Sequence, residues 1–213
     1  MTMDSRLREL AEGAKGFMPA DEGLALYDAA LASGASGPIV EIGTYCGKSA
    51  VYLGAAAAEV GSVVFTVDHH RGSEEMQAGW DHHDDTLVDA STGGMNSLPT
   101  FRMLMRDAGL DDQVVGIVGD SAVVGGSWFA PAAMVFIDGG HGPIPAHADY
   151  DLWARHVAPG GLLAIHDVFP NPDDGGRPPY EIFCRAIESG DFVEERAVGS
   201  LRILRRTTPT AES

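Results

Sequence analysis

Two short segments of this chain place carboxylates and imidazoles beside glycines or at the ends of apolar runs. Asp138 and His141 belong to the segment Phe-Ile-Asp-Gly-Gly-His, and His166 and Asp167 belong to Ala-Ile-His-Asp-Val. Imidazole titrates near neutral pH, so a histidine on a glycine-flanked loop can act as a general base. His141 is therefore predicted to accept a proton, and Asp138 is predicted to be the second catalytic residue. The alternative is a histidine that only hydrogen-bonds its own loop.

The same segments offer ligands for a divalent cation. Asp138, His166 and Asp167 follow two apolar runs, and together they supply two carboxylates and one imidazole. Such a set leaves coordination positions open for substrate oxygens. A metal site is therefore predicted at these three residues, although histidine is a less natural ligand for Mg2+ than oxygen groups are.

A glycine-rich turn follows the first apolar run of the chain. Glu41, Gly43, Gly47 and Ser49 fall in the pattern ExGxxxGxS, and an alanine-rich segment follows it. Glycines let the backbone turn sharply and approach a ligand at the start of a helix. The spacing differs from the GxGxxG of dinucleotide-binding folds, which disfavours an NAD-dependent oxidoreductase. The alternative is a plain strand-to-helix turn that needs glycine.

Asp68 ends the next apolar run. A carboxylate at the end of a central strand can accept hydrogen bonds from both hydroxyls of a ribose. The alternative role is a turn or helix cap.

Apolar runs alternate with helical patterns along the chain. Continuous β-branched runs are typical of buried parallel strands, and the intervening segments have helical composition and glycine ends. This alternation predicts one α/β domain over residues 1–213, with a doubly wound, mostly parallel sheet. The predicted strands are 38–43, 62–68, 113–120, 132–138 and 161–167, and the predicted helices are 48–60, 97–109 and 144–157, after an N-terminal helical segment at 1–36.

Two segments depart from this alternation. Residues 69–96 form a polar connection that is long for a compact domain, which favours an active-site cover. Near the C-terminus, two alternating strands joined by a Gly-Ser turn predict an antiparallel edge hairpin, followed by a frayed tail at 207–213.

The cover is rich in groups that bind sugars. Trp80 can stack on the apolar face of a sugar, while neighbouring donors and acceptors bind its hydroxyls. A solvated loop with one anchoring tryptophan is the alternative, and a zinc site from the His-His pairs lacks cysteine support and recognised spacing. The predicted substrate residues are His69, His70, Arg71 and Trp80 in the cover, with Arg177 and Tyr180 farther along.

The stretch from residue 38 to 169 resembles the class I methyltransferases that carry FIDGxH and HD motifs. The resemblance implies a Rossmann-like fold and S-adenosylmethionine as cofactor. The chain departs from the family pattern at Gly142 and Pro143, where the aromatic residue after the histidine is missing. The cofactor-binding residues that the resemblance and the spacing imply are Glu41, Gly43, Tyr45, Gly47, Ser49, Asp68, Asp120, Ser121 and Ala122.

Within that family, the segments DHHRGSEE at 68–75 and HDVFPNPDDGGRPPYEIF at 166–183 resemble actinobacterial sugar O-methyltransferases, including those that cap methylmannose polysaccharide by 1-O-methylation. This implies methylation of a saccharide or small-metabolite hydroxyl. Related catechol-type and macrolide-sugar enzymes carry acidic ligands at the same strand ends, so the resemblance also implies Mg2+, which would orient the hydroxyl and lower its pKa. N- or C-methylation of a natural product and a non-catalytic nucleotide-binding module are the alternatives.

Composition narrows the class of partner. The chain has 14 Lys and Arg against 31 Asp and Glu, a net charge of -17, which disfavours a nucleic-acid substrate. No apolar stretch is long enough to span a membrane, and the N-terminus lacks a secretory pattern, so a cytoplasmic protein is expected. Cys46 and Cys184 are expected to be reduced thiols. The expected partner is a small molecule or oligosaccharide, and a homodimer is plausible.

Overall fold

A computed structural model describes residues 2–77, 79–80 and 82–208, which contain seven α-helices, four short 3-10 helices and seven strands. The helices are α1 (Ser5–Gly13), α2 (Ala20–Ser33), α3 (Lys48–Val60), α4 (Leu98–Ala108), α5 (Ser121–Gly126), α6 (Pro143–Trp153) and α7 (Arg177–Glu188). The strands are β1 (Ile39–Ile42), β2 (Val64–Asp68), β3 (Val114–Val118), β4 (Ala132–Ile137), β5 (Val157–Ile165), β6 (Phe192–Val198) and β7 (Leu201–Arg206). Of the predicted tail, residues 209–213 lie outside the described residues.

The strands form one sheet in the order β3-β2-β1-β4-β5-β7-β6. The first five strands are parallel, and β7 joins β5 and β6 in antiparallel pairs. The predicted doubly wound sheet with an antiparallel edge hairpin is therefore confirmed. Among the described residues, no helix combines the length and the apolar character that crossing a bilayer requires.

Each face of the sheet has its own hydrophobic core. Alternation along β1 sends Ile39 to the core that includes Leu26 and Tyr52, and Val40 to the core that includes Trp153. The first core is covered by α1 to α4 and the second by α6 and α7. Because both faces are buried, the parallel strands carry continuous apolar runs rather than alternating ones.

One boundary differs from the prediction at β5. The predicted helix 144–157 ends at Trp153, and β5 begins at Val157, four residues before the predicted strand. Gly160 has a φ of 77°, and the pairing of β4 with β5 shifts register near Ala132. Gly160 and Gly161 therefore lie in an irregular stretch of the strand.

Candidate active site

The register of the sheet brings the predicted site residues to one edge. Ile42 pairs with Val67 on β2 and with Ile137 on β4, and Ile137 pairs with Ile165 on β5. The segments that follow these residues therefore leave the sheet at the same edge. Among the described residues, three non-glycine residues with positive φ lie there, a conformation that concentrates at functional sites: Tyr45 (49°), His70 (57°) and Asp167 (55°).

A cavity of about 790 Å3 opens at this edge. Its volume is within the usual range for a small-molecule site. The predicted site residues that line it are Gly43, Tyr45, Ser49, Asp68, His69, Trp80, Asp120, Ser121, Asp138, His141, His166 and Asp167. Those that do not line it are Glu41, Gly47, His70, Arg71, Ala122, Arg177 and Tyr180.

Asp68 organises the glycine-rich loop and also faces the cavity. Its Oδ2 accepts hydrogen bonds from the backbone N–H groups of Thr44 at 3.0 Å and Tyr45 at 2.7 Å, and its Oδ1 accepts one from His70 at 2.6 Å. A carboxylate has about four acceptor positions. Asp68 thus caps the loop, which is the alternative role that the sequence indicated. It also lies on the cavity wall, where a ribose could reach it.

The glycines of the loop are required by close packing. Gly43 has a φ of 93°, and a Cβ there would lie 2.1 Å from the carbonyl oxygen of Asp138. Gly47 has a φ of 92°, and a Cβ there would lie 2.8 Å from the Phe101 ring. Gly43 therefore lets the loops after β1 and β4 meet, whereas Gly47, predicted to bind cofactor, serves packing at the start of α3.

Glu41 differs from the sequence prediction because its side chain points into the core below the loop. It is completely buried, and the Thr66 hydroxyl donates to its Oε2 at 2.5 Å. Burial raises the pKa of Glu41 to about 8, although hydroxyl hydrogen bonds favour the charged form. Glu41 thus supports the loop from beneath, and it does not line the cavity.

Glu41→Gln is expected to change how stability depends on pH. Folding favours protonated Glu41, so its contribution is full below its ordinary pKa of 4.5 and is lost as pH rises through about 8. Relative to the wild type, the glutamine variant should gain roughly 2–5 kcal/mol of unfolding free energy across that range. Urea unfolding at pH 5 and pH 8.5 measures this gain. A difference between the proteins that does not vary with pH would contradict it.

Asp120 and Ser121 lie at the start of α5. Asp120 caps the helix, since its Oδ1 accepts hydrogen bonds from the N–H groups of Ala122 at 3.0 Å and Val123 at 3.1 Å. The Ala122 N–H, predicted to bind cofactor, is therefore engaged within the helix cap, and Ala122 does not line the cavity. The Ser121 hydroxyl donates to buried Asp149 at 2.5 Å, and burial raises the pKa of Asp149 to about 6. Asp149, for which the sequence predicted no role, also forms part of the cavity wall.

His141 and Asp167 form a histidine–carboxylate pair. The Asp167 Oδ2 lies 2.9 Å from the His141 Nε2, and 35% of the His141 side chain is exposed. Burial alone would raise the pKa of Asp167, but hydrogen bonds from His141 and His166 lower it below its ordinary range. Asp138 joins the pair, and ligand atoms of Asp138, His141 and Asp167 all lie within 4.8 Å of one another. Two carboxylates and an imidazole at this spacing fit a divalent cation.

His166 differs from the predicted metal ligand because both of its ring nitrogens are engaged. Its Nδ1 lies 2.9 Å from the Asp138 Oδ1, and its Nε2 lies 2.5 Å from the Glu22 Oε2. Burial lowers the pKa of His166, but the facing carboxylates outweigh burial and raise it to about 12. His141 therefore takes the place of His166 in the cluster, and His166 holds Asp138.

Of the six predicted substrate residues, two line the cavity and four do not. His70 is buried and hydrogen-bonded to Ser97 at 2.8 Å, and the Arg177 guanidinium donates to the carbonyls of Phe169 and Pro170 at 3.1 Å. Arg177 also lies 4.2 Å over the Tyr180 ring, and exposed Arg71 does not reach the cavity. These four residues do not line the cavity, whereas His69 and Trp80 do.

The N-terminal segment completes the mouth of the cavity, which sequence reasoning missed. Phe17 stacks on Tyr45 at 5.9 Å and meets the His82 ring edge to face at 4.9 Å. Lys15 forms an ion pair with Asp84 in the cover and donates to the Thr86 hydroxyl at 2.7 Å. Phe17 and Lys15 belong to no recognisable motif, so the sequence did not predict this contact.

Cys46, in the glycine-rich loop, is not an activated nucleophile. Cys46 is fully buried, and burial raises the pKa of its thiol to about 12. Thiolates, not thiols, are the nucleophiles. Cys46 thus packs the loop against Leu87 and Met95 of the cover rather than reacting.

The strand order, the glycine loop and the acidic strand ends define a class I methyltransferase. A family model described as "Methyltransferase domain" matches residues 40–168, and the chain belongs to that family. The sequence-based assignment to this class is therefore confirmed.

Solved structures share the fold at low sequence identity. An O-methyltransferase from Bacillus cereus in complex with SAH is 16% identical, with a TM-score of 0.64 over 97% of this chain and 93% of that chain. Cofactor-bound Rv0187 from MTB is 16% identical, with a TM-score of 0.63 over 96% and 88%. SAH-bound methyltransferase PaMTH1 from Podospora anserina is 14% identical, with a TM-score of 0.61 over 95% and 87%.

Proposed function

We propose that this enzyme transfers the methyl group of S-adenosylmethionine to a hydroxyl group of a saccharide or similar small metabolite. The observation that carries the proposal is the division of one cavity between two sets of residues. Asp68 ends β2 and Asp120 follows β3 on one side of β1, whereas Asp138 and Asp167 follow β4 and β5 on the other. Cofactor and acceptor can therefore bind side by side.

The first half of the cavity suits the adenosyl group. Asp68 presents a carboxylate to ribose hydroxyls, and Asp120 presents one close to the start of α5. The structures from Bacillus cereus and Podospora anserina hold SAH within the same fold, which supports this choice of cofactor. Carboxylates around the cavity also favour a ligand that carries a cationic sulfonium.

The second half suits removal of a proton from the acceptor. His141 lines the cavity, and Asp167 stabilises the imidazolium that forms when His141 accepts the hydroxyl proton. The acceptor oxygen must also be held in line with the sulfonium methyl group, which is the task of the cavity walls. Asp138 and Asp167 would hold Mg2+ next to His141, and the ion when bound would lower the pKa of the acceptor hydroxyl, whose proton His141 accepts.

The walls of the mouth suit a sugar. Trp80 and Phe17 line the cavity with 54% and 59% of their surfaces exposed. Exposed aromatic faces beside polar groups fit the apolar face and the hydroxyls of a sugar ring. A methylmannose oligosaccharide methylated at its 1-hydroxyl is the specific acceptor that we propose to test first.

A methyl-transfer screen with labelled S-adenosylmethionine tests the proposal. Sugars, oligosaccharides and other polyols are offered with Mg2+, with EDTA, and with EDTA followed by excess Mg2+. We expect an O-methylated sugar product by NMR, a loss of turnover in EDTA and its recovery on adding Mg2+. A product methylated on nitrogen or carbon would contradict the acceptor class. If EDTA leaves turnover unchanged, or if Mg2+ does not restore the turnover lost in EDTA, the proposed requirement for Mg2+ would be contradicted.

A further inference from the structure

A buried carboxylate from the N-terminal part of the chain reaches the underside of the active site. Glu22 lies in the first turn of α2, is 3% exposed, and does not line the cavity. Its Oε2 lies 2.5 Å from the His166 Nε2, although the two residues are 144 positions apart in sequence. It falls outside residues 40–168, which the family model matches.

The turn between β6 and β7 is built around this carboxylate. The Ser200 N–H donates to the Glu22 Oε1 at 2.7 Å, and the Ser200 hydroxyl lies 3.2 Å from Oε2. Gly199 has a φ of 51°, and a Cβ there would lie 2.0 Å from the Glu22 Oε1. A side chain at position 199 would therefore displace Glu22.

The same turn is attached to the catalytic strand end. The Val168 N–H donates to the Ser200 carbonyl at 3.0 Å, directly after Asp167. On the other side of the imidazole, the His166 Nδ1 lies 2.9 Å from the Asp138 Oδ1. A continuous series of hydrogen bonds thus runs from Ser200 through Glu22 and His166 to Asp138. Groups that orient a ligand or catalytic side chain from behind commonly control its geometry.

We propose that Glu22 is a positioning residue: it fixes the His166 imidazole and, through it, the Asp138 carboxylate at the acceptor side of the cavity. The inference rests on the proposed function, since that function gives Asp138 its role. Buried Glu22 cannot touch the acceptor or the cofactor, so its effect must pass through His166. Removing its charge should impair turnover and leave ligand binding intact.

The test compares Glu22→Gln with Asp28→Asn. Glutamine keeps an acceptor for the Ser200 N–H but presents an amide to the His166 ring. Asp28 lies on the same helix, is exposed, and forms an ion pair with Arg196 at 3.1 Å, so its variant controls for loss of a charge from α2. Both variants are first checked by thermal unfolding and by the affinity for S-adenosylhomocysteine.

With the best acceptor from the sugar panel, Glu22→Gln should lower kcat about tenfold, with the acceptor KM and the S-adenosylhomocysteine affinity within about twofold of wild type. Asp28→Asn should match wild type. A folded Glu22→Gln protein with the wild-type kcat would overturn the proposal, as would a defect confined to KM.

A second measurement needs no acceptor. In crystal structures of the S-adenosylhomocysteine complex, wild type and Asp28→Asn should keep the His166 ring against the Asp138 carboxylate. In Glu22→Gln the His166 ring and the Asp138 carboxylate should be displaced from these positions. Unchanged positions of both side chains in Glu22→Gln would overturn the proposal even if no acceptor were found. Absence of turnover in wild type would instead count against the proposed function.

Discussion

His141→Ala is expected to lower kcat by about 10²–10⁴-fold, the usual contribution of a positioned general base. His141 lines the cavity and lies 2.9 Å from Asp167, which would stabilise its charged form during proton transfer. The affinity for S-adenosylhomocysteine should stay within about threefold of wild type, because removing a group used in the chemical step leaves cofactor binding intact. Steady-state kinetics and calorimetry measure the two effects separately.

His147→Ala is the matched control. His147 lies on α6, outside the cavity, and contacts Glu181 at 3.1 Å. Its replacement removes an imidazole without touching the site, so kcat should equal the wild-type value. A His141→Ala enzyme with full turnover would show that another group accepts the proton.

Asp68→Ala is expected to weaken binding of S-adenosylhomocysteine by about 100-fold, since hydrogen bonds to a charged group contribute roughly 1.5–3 kcal/mol each. The carboxylate accepts three backbone hydrogen bonds that shape the cofactor loop and is also the proposed partner of the ribose. The effect therefore combines a direct contact with disorder of the loop. Calorimetric titration measures the affinity directly.

Asp68→Asn separates these two contributions. Asparagine keeps an acceptor oxygen but lacks the charge, so its affinity should fall between those of wild type and Asp68→Ala. Asp107→Ala, which removes an exposed carboxylate paired with Arg106 on α4, should bind as tightly as wild type. Equal affinity in Asp68→Ala and wild type would place the adenosyl group elsewhere.

The sequence predicted the elements that are specified locally. Continuous apolar runs marked the parallel strands, and the polar residues that end them had to meet at one edge because parallel strands share a direction. Asp68, Asp138, His141 and Asp167 were found by this reasoning, and the structure brings all four to one cavity.

Orientation within an element was harder to infer. Glu41 falls in a strand whose side chains alternate between two buried faces, and spacing alone did not show that its carboxylate points away from the ligand edge. Arg177 and Tyr180 were predicted to face the acceptor, but their hydrogen bonds and stacking hold a loop instead.

Contacts between distant parts of the chain left no pattern in the sequence. Glu22 meets His166 across 144 positions, and Lys15 meets Asp84 across 69. Each is an ordinary charged residue on a helix or loop, where a solvated side chain is the usual expectation. Only the packing of α2 against the sheet shows that Glu22 is buried, which is why His166 was taken for a metal ligand.

A crystal structure of the protein soaked with S-adenosylhomocysteine tests the central claim most directly. The ribose is expected to meet Asp68, and the sulfur should face the side of the cavity that holds Asp138 and His141. An adenosyl group bound elsewhere, or a cavity that stays empty at saturating ligand, would contradict the assignment of this edge of the sheet as the methyl-transfer site.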